Sequence, residues 1–436
     1  MSRERLFSWH TRPEAFFRLC PPWVHLGDVT RSGGVEDGAS VSFTQYLFKI
    51  PFKWEIEHFG YRQDEQFCDR ARKSPFKSYT HVHRFLPYDK GTVLQDSVSY
   101  NIPAFLRCFA ARELDRLFSY RHQITRGDAL HHERMGWQPR RILIAGASGL
   151  IGSQLVPFLR AAGHTVELLE RKKGARHFWD PESGILPTDT LEGFDAIVNL
   201  CGHSITQRLW TEKEKEKIAK SRLTSTHLLV KTIRQLKKPP QVFASASAVG
   251  VYGSRGDSTI SEQDESGSGF LAELCRQWEA LALEVGVCRA VVMRFGVVLS
   301  ARGGVLEKMV PATRLGLGTT FGSADHWMSW IGINDAVRAI DFLLCKNEAH
   351  GPVHLVAPHP VTNRNFMQKL ASIMKKPLFL NVPARVLRLL PGGFADEALL
   401  ASQKTFPDTL LRLGFSFQHP SLEDALGFEL GVFGIL

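Results

Sequence analysis

The chain has 436 residues, 44% of them hydrophobic, enough for two or three domains with ordinary cores. No apolar run reaches the roughly 18 residues of a membrane span, and no signal-type apolar core follows Met1-Ser2-Arg3-Glu4-Arg5, so a cytoplasmic protein without membrane insertion is expected. The net charge of +10 is spread, +4 in residues 1–138 and +6 beyond, with no basic block among aromatics, and nucleic acid is not an expected partner.

Seven cysteines, at positions 20, 68, 108, 201, 275, 288 and 345, are scattered and never form a CxxC pair. That excludes a disulfide framework and a cysteine zinc site, and leaves them as small buried apolar residues. Strand-like segments rich in aromatic and β-branched residues lie at 41–48, 53–59, 79–86 and 93–101, separated by Gly, Asp, Lys and Pro turns. Pro103 then opens a helix with Phe105, Phe109, Leu114, Leu117 and Phe118 recurring on one side. Residues 1–126 form the first domain on this reading, and polar residues 127–139 the linker after it. An antiparallel sheet closed by one helix leaves room for an apolar cavity between them. His81 and His83 share a face of one strand, but two imidazoles lack a third ligand, so they read as hydrogen-bonded sheet residues and no metal site is expected.

This first domain resembles the START-like, polyketide-cyclase-like helix-grip domains. The resemblance rests on Pro21-Pro22-Trp23, on the run from Pro51 to His58, on Phe67-Cys68-Asp69, on Ser74-Pro75-Phe76 and on His81-Val82-His83-Arg84-Phe85. It implies an α+β fold and a small apolar ligand rather than a defined reaction.

The apolar run Ile142-Leu143-Ile144-Ala145 has the length of a buried parallel strand, and glycines follow at 146, 149 and 152. Gly146 provides a sharp turn, Gly149 a close approach to a pyrophosphate, and Gly152 a helix lying against the strand. Ser148, Leu150 and Ile151 complete the loop, whose amides and helix N-terminus suit phosphate. Leu155, Val156 and Leu159 continue the helical spacing to Gly163, and Thr165 to Glu170 reads as a second strand. Glu170 at its end suits the 2′-hydroxyl of NAD, whereas Arg171, with Lys172 and Lys173, suits the 2′-phosphate of NADP. NADP is the expected cofactor, with NAD the alternative.

From residue 140 onward the chain resembles the extended short-chain dehydrogenase/reductase superfamily, and within it an atypical epimerase-like family. The resemblance implies an α/β Rossmann doubly wound parallel sheet over 140–382, followed by a small C-terminal domain, 383–436, docking through Gly414-Phe415-Ser416-Phe417. It carries cofactor roles onto Leu200-Cys201-Gly202 after the strand from Asp195, onto Arg222, onto Ser245, and onto Arg294 in the strand that closes over the nicotinamide. Ser247, in Ala244-Ser245-Ala246-Ser247-Ala248, falls at the catalytic serine. Asn334 or Asp335 suits the cap of a following helix.

Such sites also use a tyrosine and a lysine four residues apart on a helix, to exchange a proton and to depress the phenol pKa. Leu271 and Cys275 stand there instead. Tyr252 is the preferred substitute proton donor, with Glu273, Ser247 or water as alternatives. The expected function is NADP-dependent oxidoreductase or epimerase-type chemistry on a small metabolite. A cofactor-binding sensor or scaffold without turnover, or a carrier of an apolar ligand, stays open.

Overall fold

A computed structural model describes residues 1–47 and 50–433. Its first layer is a six-stranded antiparallel sheet in sequential order, with strands His25–Ser32, Ser40–Leu47, Ile50–Arg62, Gln66–Lys73, Ser78–Tyr88 and Gly91–Asn101. The expected strands at 53–59, 79–86 and 93–101 are all present but longer, and residue 48 of the 41–48 segment lies outside the described residues. Alternation of buried and more exposed side chains runs along the middle of Ser78–Tyr88, as a sheet covered on one face requires.

The helix expected from Pro103 begins with a 3₁₀ turn, Ala104–Leu106, and continues as Arg107–Arg134. It is longer than its sequence suggests, because residues 127–134 are its last turns rather than a linker. Their polarity does not mean exposure: Asp128, His131 and His132 are all buried. At the other end the expected apolar stripe fails, since Phe105 and Phe109 are 83% and 47% exposed. Phe118 and His122 face the sheet, with Phe118 edge-on to His81, while Tyr120 and Ile124 face the opposite way into a cluster with Trp9, Leu19, Ala161 and Phe428. One helix therefore serves two domains.

The second sheet has seven parallel strands in the order Gly351–Leu355, Arg289–Phe295, Val242–Ala248, Ala196–Asn199, Arg141–Ala145, Thr165–Glu170, His177–Phe178. Helices on both faces bury it, which is why its inner strands read as unbroken apolar runs. The chain order of the strands reverses between Arg141–Ala145 and Ala196–Asn199, and ligands of such sheets bind beyond the carboxyl ends of the strands at that point.

In the C-terminal segment, Leu410 and Phe415 lie in the core cluster of the large sheet, and Phe415 is edge-on to Phe342. Asn334 and Asp335 do not cap the helix Ile333–Cys345. Gly332 holds the cap position without a side-chain bond, and Asp335 instead accepts the amides of Gln418 and His419 at 2.9 Å each.

Candidate nucleotide site

At the reversal point the strand Arg141–Ala145 runs into Gly146, whose φ is +84°. A Cβ there would lie 2.6 Å from the carbonyl carbon of Leu200, so no other residue fits. A Cβ on Gly152 would lie 2.5 Å from the Gly146 oxygen. Gly149 differs: it is exposed and its nearest contact would be an ordinary 3.4 Å, so nothing within the chain demands a glycine. The amides of Ser148, Leu150, Ile151 and Gly152 make no hydrogen bond among the described residues, and no side chain caps the helix Gly152–Ala162. A bare helix N-terminus with free amides and an open glycine is a cradle for a diphosphate, and the residues present fit a dinucleotide.

Arg171 follows the strand Thr165–Glu170 directly, exposed together with Glu170, Lys172 and Lys173. Its charge acts on Cys201 across the reversal point. The turn Leu200-Cys201-Gly202 is fixed from below: Asn199 Oδ1 accepts the Cys201 amide at 3.2 Å, while its Nδ2 donates to Thr226 Oγ1 at 2.8 Å and to Ser245 Oγ at 3.2 Å. Ser245 has no exposed surface and supports the turn rather than lining the cleft. Arg222 packs under Gly202, 3.1 Å from the position of a Cβ, stacks over Trp278, and donates to the carbonyls of His203 and Ile218 at 3.0 Å. Burial pushes the Cys201 thiol up to about 12, so it stays protonated.

Ser247 and Tyr252 belong to one buried network. Ser247 Oγ donates to Glu279 Oε1 at 2.5 Å, and Arg294 grips the same carboxylate with two bonds of 2.9 and 2.6 Å. Arg294 also donates to the Tyr252 hydroxyl and to the Glu262 carbonyl. His354 Nδ1 lies 2.9 Å from the Phe406 carbonyl and so carries the proton, which makes Nε2 the acceptor for the Tyr252 hydroxyl at 2.7 Å. The Arg294 guanidinium, read from the sequence as a cofactor contact, is thus engaged inside the lobe with Glu279, Tyr252 and Glu262. Tyr252 has no exposed surface, and burial raises its phenol pKa despite the opposing charge of Arg294.

Leu271 packs against Gly250, and Cys275 lies beside Ser247, so both occupy the places a tyrosine and lysine were expected to take. Burial pushes the Cys275 thiol up to about 11. Glu273 points outward into a pair with Arg276 and is not available to the cleft. An imidazole not singled out from the sequence stands closer to the turn: His203, whose side chain is 34% exposed, is held by Glu214 at 2.7 Å and by Arg222 through its carbonyl. Its position directly after Cys201-Gly202 was the available signal. On the other wall, a Cβ on Gly303 would lie 3.0 Å from Leu150, so the loop after Val297–Leu299 closes onto the glycine turn.

The profile of the NAD dependent epimerase/dehydratase family matches residues 142–357, and that of a domain of unknown function, DUF1731, matches residues 382–428. An epimerase family protein of Mycobacterium bovis is 41% identical over 292 residues, 66% of this chain and 96% of the relative. The crystal structure of a nucleoside-diphosphate sugar epimerase from Corynebacterium glutamicum superposes with a TM-score of 0.81 at 32% identity, covering 99% of this chain and 88% of that one. The human epimerase family protein SDR39U1, solved with NADPH, gives a TM-score of 0.62 at 32% identity over 67% of this chain and 99% of its own. With the glycine turn, the reversed parallel sheet and these similarities in agreement, the chain belongs to the epimerase family.

Proposed function

We propose that this protein binds NADP(H) across the glycine turn and uses it in oxidoreductase or epimerase-type chemistry on a small metabolite. The observation that carries this reading is Gly149, a glycine the fold itself does not need, set among four free amides at a helix N-terminus. The exposed run Arg171-Lys172-Lys173 supports NADP over NAD, as does the NADPH in the human relative. Bound nicotinamide supplies a hydride acceptor and donor. The chain's own part is to orient that ring and to exchange a proton. Tyr252 and Ser247 are read as positioning residues, because each is buried and already hydrogen-bonded. Proton exchange falls to His203, whose loss in His203→Gln should stop reduction of a carbonyl substrate while leaving NADPH affinity intact.

A second reading is favoured by Leu271 and Cys275: a nucleotide-binding protein that has given up turnover. We read the N-terminal unit as a START-like helix-grip domain on its layer order. A purely apolar ligand there suits it poorly, because His58, Asp69, His81, His83 and Asp96 meet where sheet and helix face each other. Titration of the protein with NADPH and NADH, followed by nicotinamide fluorescence, tests the cofactor assignment. Micromolar binding of NADPH in preference to NADH is expected; binding of neither would overturn it.

A further inference from the structure

Under the long helix, the N-terminal sheet gathers three histidines and two aspartates, and the helix adds His122. Strand register sets His58, Asp69 and His81 side by side on three neighbouring strands, and His83 beside Asp96 one step along the same face. Asp69 Oδ2 lies 3.5 Å from His81 Nδ1 and 3.4 Å from His83 Nε2, and its Oδ1 lies 2.7 Å from His58 Nδ1. One donor atom each from Asp69, His81 and His83 falls within 4.8 Å of the others. Neighbouring ligands of a tetrahedral ion with bonds of about 2.1 Å stand roughly 3.4 Å apart, which the two separations from Asp69 Oδ2 match.

Asp96 takes the other side of both rings. Its Oδ1 lies 2.9 Å from His81 Nε2 and 2.8 Å from His83 Nδ1, and its Oδ2 accepts from His122 at 2.6 Å. Metal-bound histidines characteristically present their far nitrogen to a carboxylate in this way, which fixes the tautomer and orients the ring.

Two further observations point to an ion. The carboxylates are largely buried, yet every ion-pair partner they have among the described residues is a histidine, with no lysine or arginine to balance them. His58 Nδ1, His83 Nδ1 and Asp69 Oδ1 are also buried without a properly directed hydrogen bond, although oppositely charged atoms stand close by. Buried polar atoms without a directed hydrogen bond call for a further partner, and an ion is one.

We propose that Asp69, His81 and His83 bind a divalent first-row transition-metal ion, with Asp96 as the outer carboxylate that orients both imidazoles and His58 beside the second Asp69 oxygen. The donor set is nitrogen and oxygen only, which suits zinc, cobalt or iron(II) rather than a thiolate-bound metal. The sequence concealed this because the third ligand comes from a neighbouring strand, and only strand register brings it to His81 and His83.

The test uses the full chain, stripped with chelator and dialysed, then titrated separately with zinc and cobalt(II). Calorimetry and elemental analysis should give one equivalent of zinc per chain at submicromolar affinity. Cobalt(II) should add visible ligand-field bands without a sulfur charge-transfer band. His81→Ala/His83→Ala should lower affinity at least 100-fold, and Asp96→Asn 10- to 100-fold as an outer partner. Circular dichroism reports folding, and should the double variant fail to fold, Asp69→Asn keeps the shape while removing a charged ligand. No binding of either ion at micromolar concentration, or binding unaltered by both the Asp69 and Asp96 changes, would overturn the proposal.

Discussion

Arg18 and Asp128 form a two-pronged ion pair with essentially no exposed surface, Nε to Oδ2 at 2.8 Å and Nη2 to Oδ1 at 2.9 Å. Arg18 ends the short helix Pro13–Arg18, and Asp128 lies near the end of the long helix. Arg338, from the nucleotide lobe, adds a bond of 2.8 Å to Asp128 Oδ1, and Arg18 donates on to Asn334 at 2.6 Å. One carboxylate thus ties the N-terminal domain to the lobe behind the nucleotide sheet.

Replacing Asp128 by alanine leaves two buried guanidinium groups facing each other. A loss of about 3–5 kcal/mol is expected in urea unfolding, the range for breaking a buried pair from one side. Burial raises the Asp128 carboxyl, but Arg18 and Arg338 outweigh it and hold the group well below the usual carboxylate range. A depressed folded pKa means the contribution is present at neutral pH and disappears as pH falls below the unfolded value of about 3.9. Wild type should therefore lose stability steeply below about pH 4, and the Asp128→Ala variant less steeply; parallel acid curves would show that this pair is not the titrating link.

The glycine turn separates a folding requirement from a ligand requirement. Gly146→Ala forces a Cβ to 2.6 Å from the Leu200 backbone at a φ of +84°, and should destabilise the whole chain. Gly149→Val meets no such obstacle, so its thermal transition should stay within a few degrees of wild type while NADPH binding disappears. Calorimetry and fluorescence titration on the two variants check this contrast, and retained NADPH affinity in Gly149→Val would remove the diphosphate from this turn.

Arg171→Ala should weaken NADPH about tenfold, the loss of roughly 1.4 kcal/mol from one charge-assisted contact to a 2′-phosphate, and leave NADH unchanged. Equal losses for the two nucleotides would mean that Arg171 acts on something both share.

The nucleotide half was legible because its signals are local: an apolar run, three glycines and a helix within about thirty residues, the length of a βαβ unit. What escaped the sequence lies in contacts between distant segments. Residues 127–134 read as a polar linker because polarity signals exposure until a partner is known, and the partners of Asp128 and His131 are Arg18, Arg338 and Asp341 in other elements. Asn334 and Asp335 read as caps for the same reason, yet bind Arg18 and the C-terminal segment. Tyr252 and Arg294 stand in the expected elements, but their rotamers commit them to His354 and Glu279, which strand patterns alone do not reveal.

Glu429, in the C-terminal helix Leu422–Leu430, accepts the Ala301 amide at 2.9 Å and so holds the loop that closes on Leu150. Burial raises its carboxyl to about 7, against the pull of that amide, Arg302, Ser300 and Arg18. Here the folded pKa lies above the unfolded one, so the folded chain binds a proton that the unfolded chain releases from about pH 4.5 upward. Stability should fall as pH rises from about 4.5 to 7, by on the order of 2–3 kcal/mol, and level off above. Glu429→Gln keeps the acceptor for Ala301 but removes the ionisation, so its unfolding free energy should stay flat over the same window. Urea unfolding of both proteins at pH 5 and pH 8 measures the difference; identical changes in the two would show that another group carries the dependence.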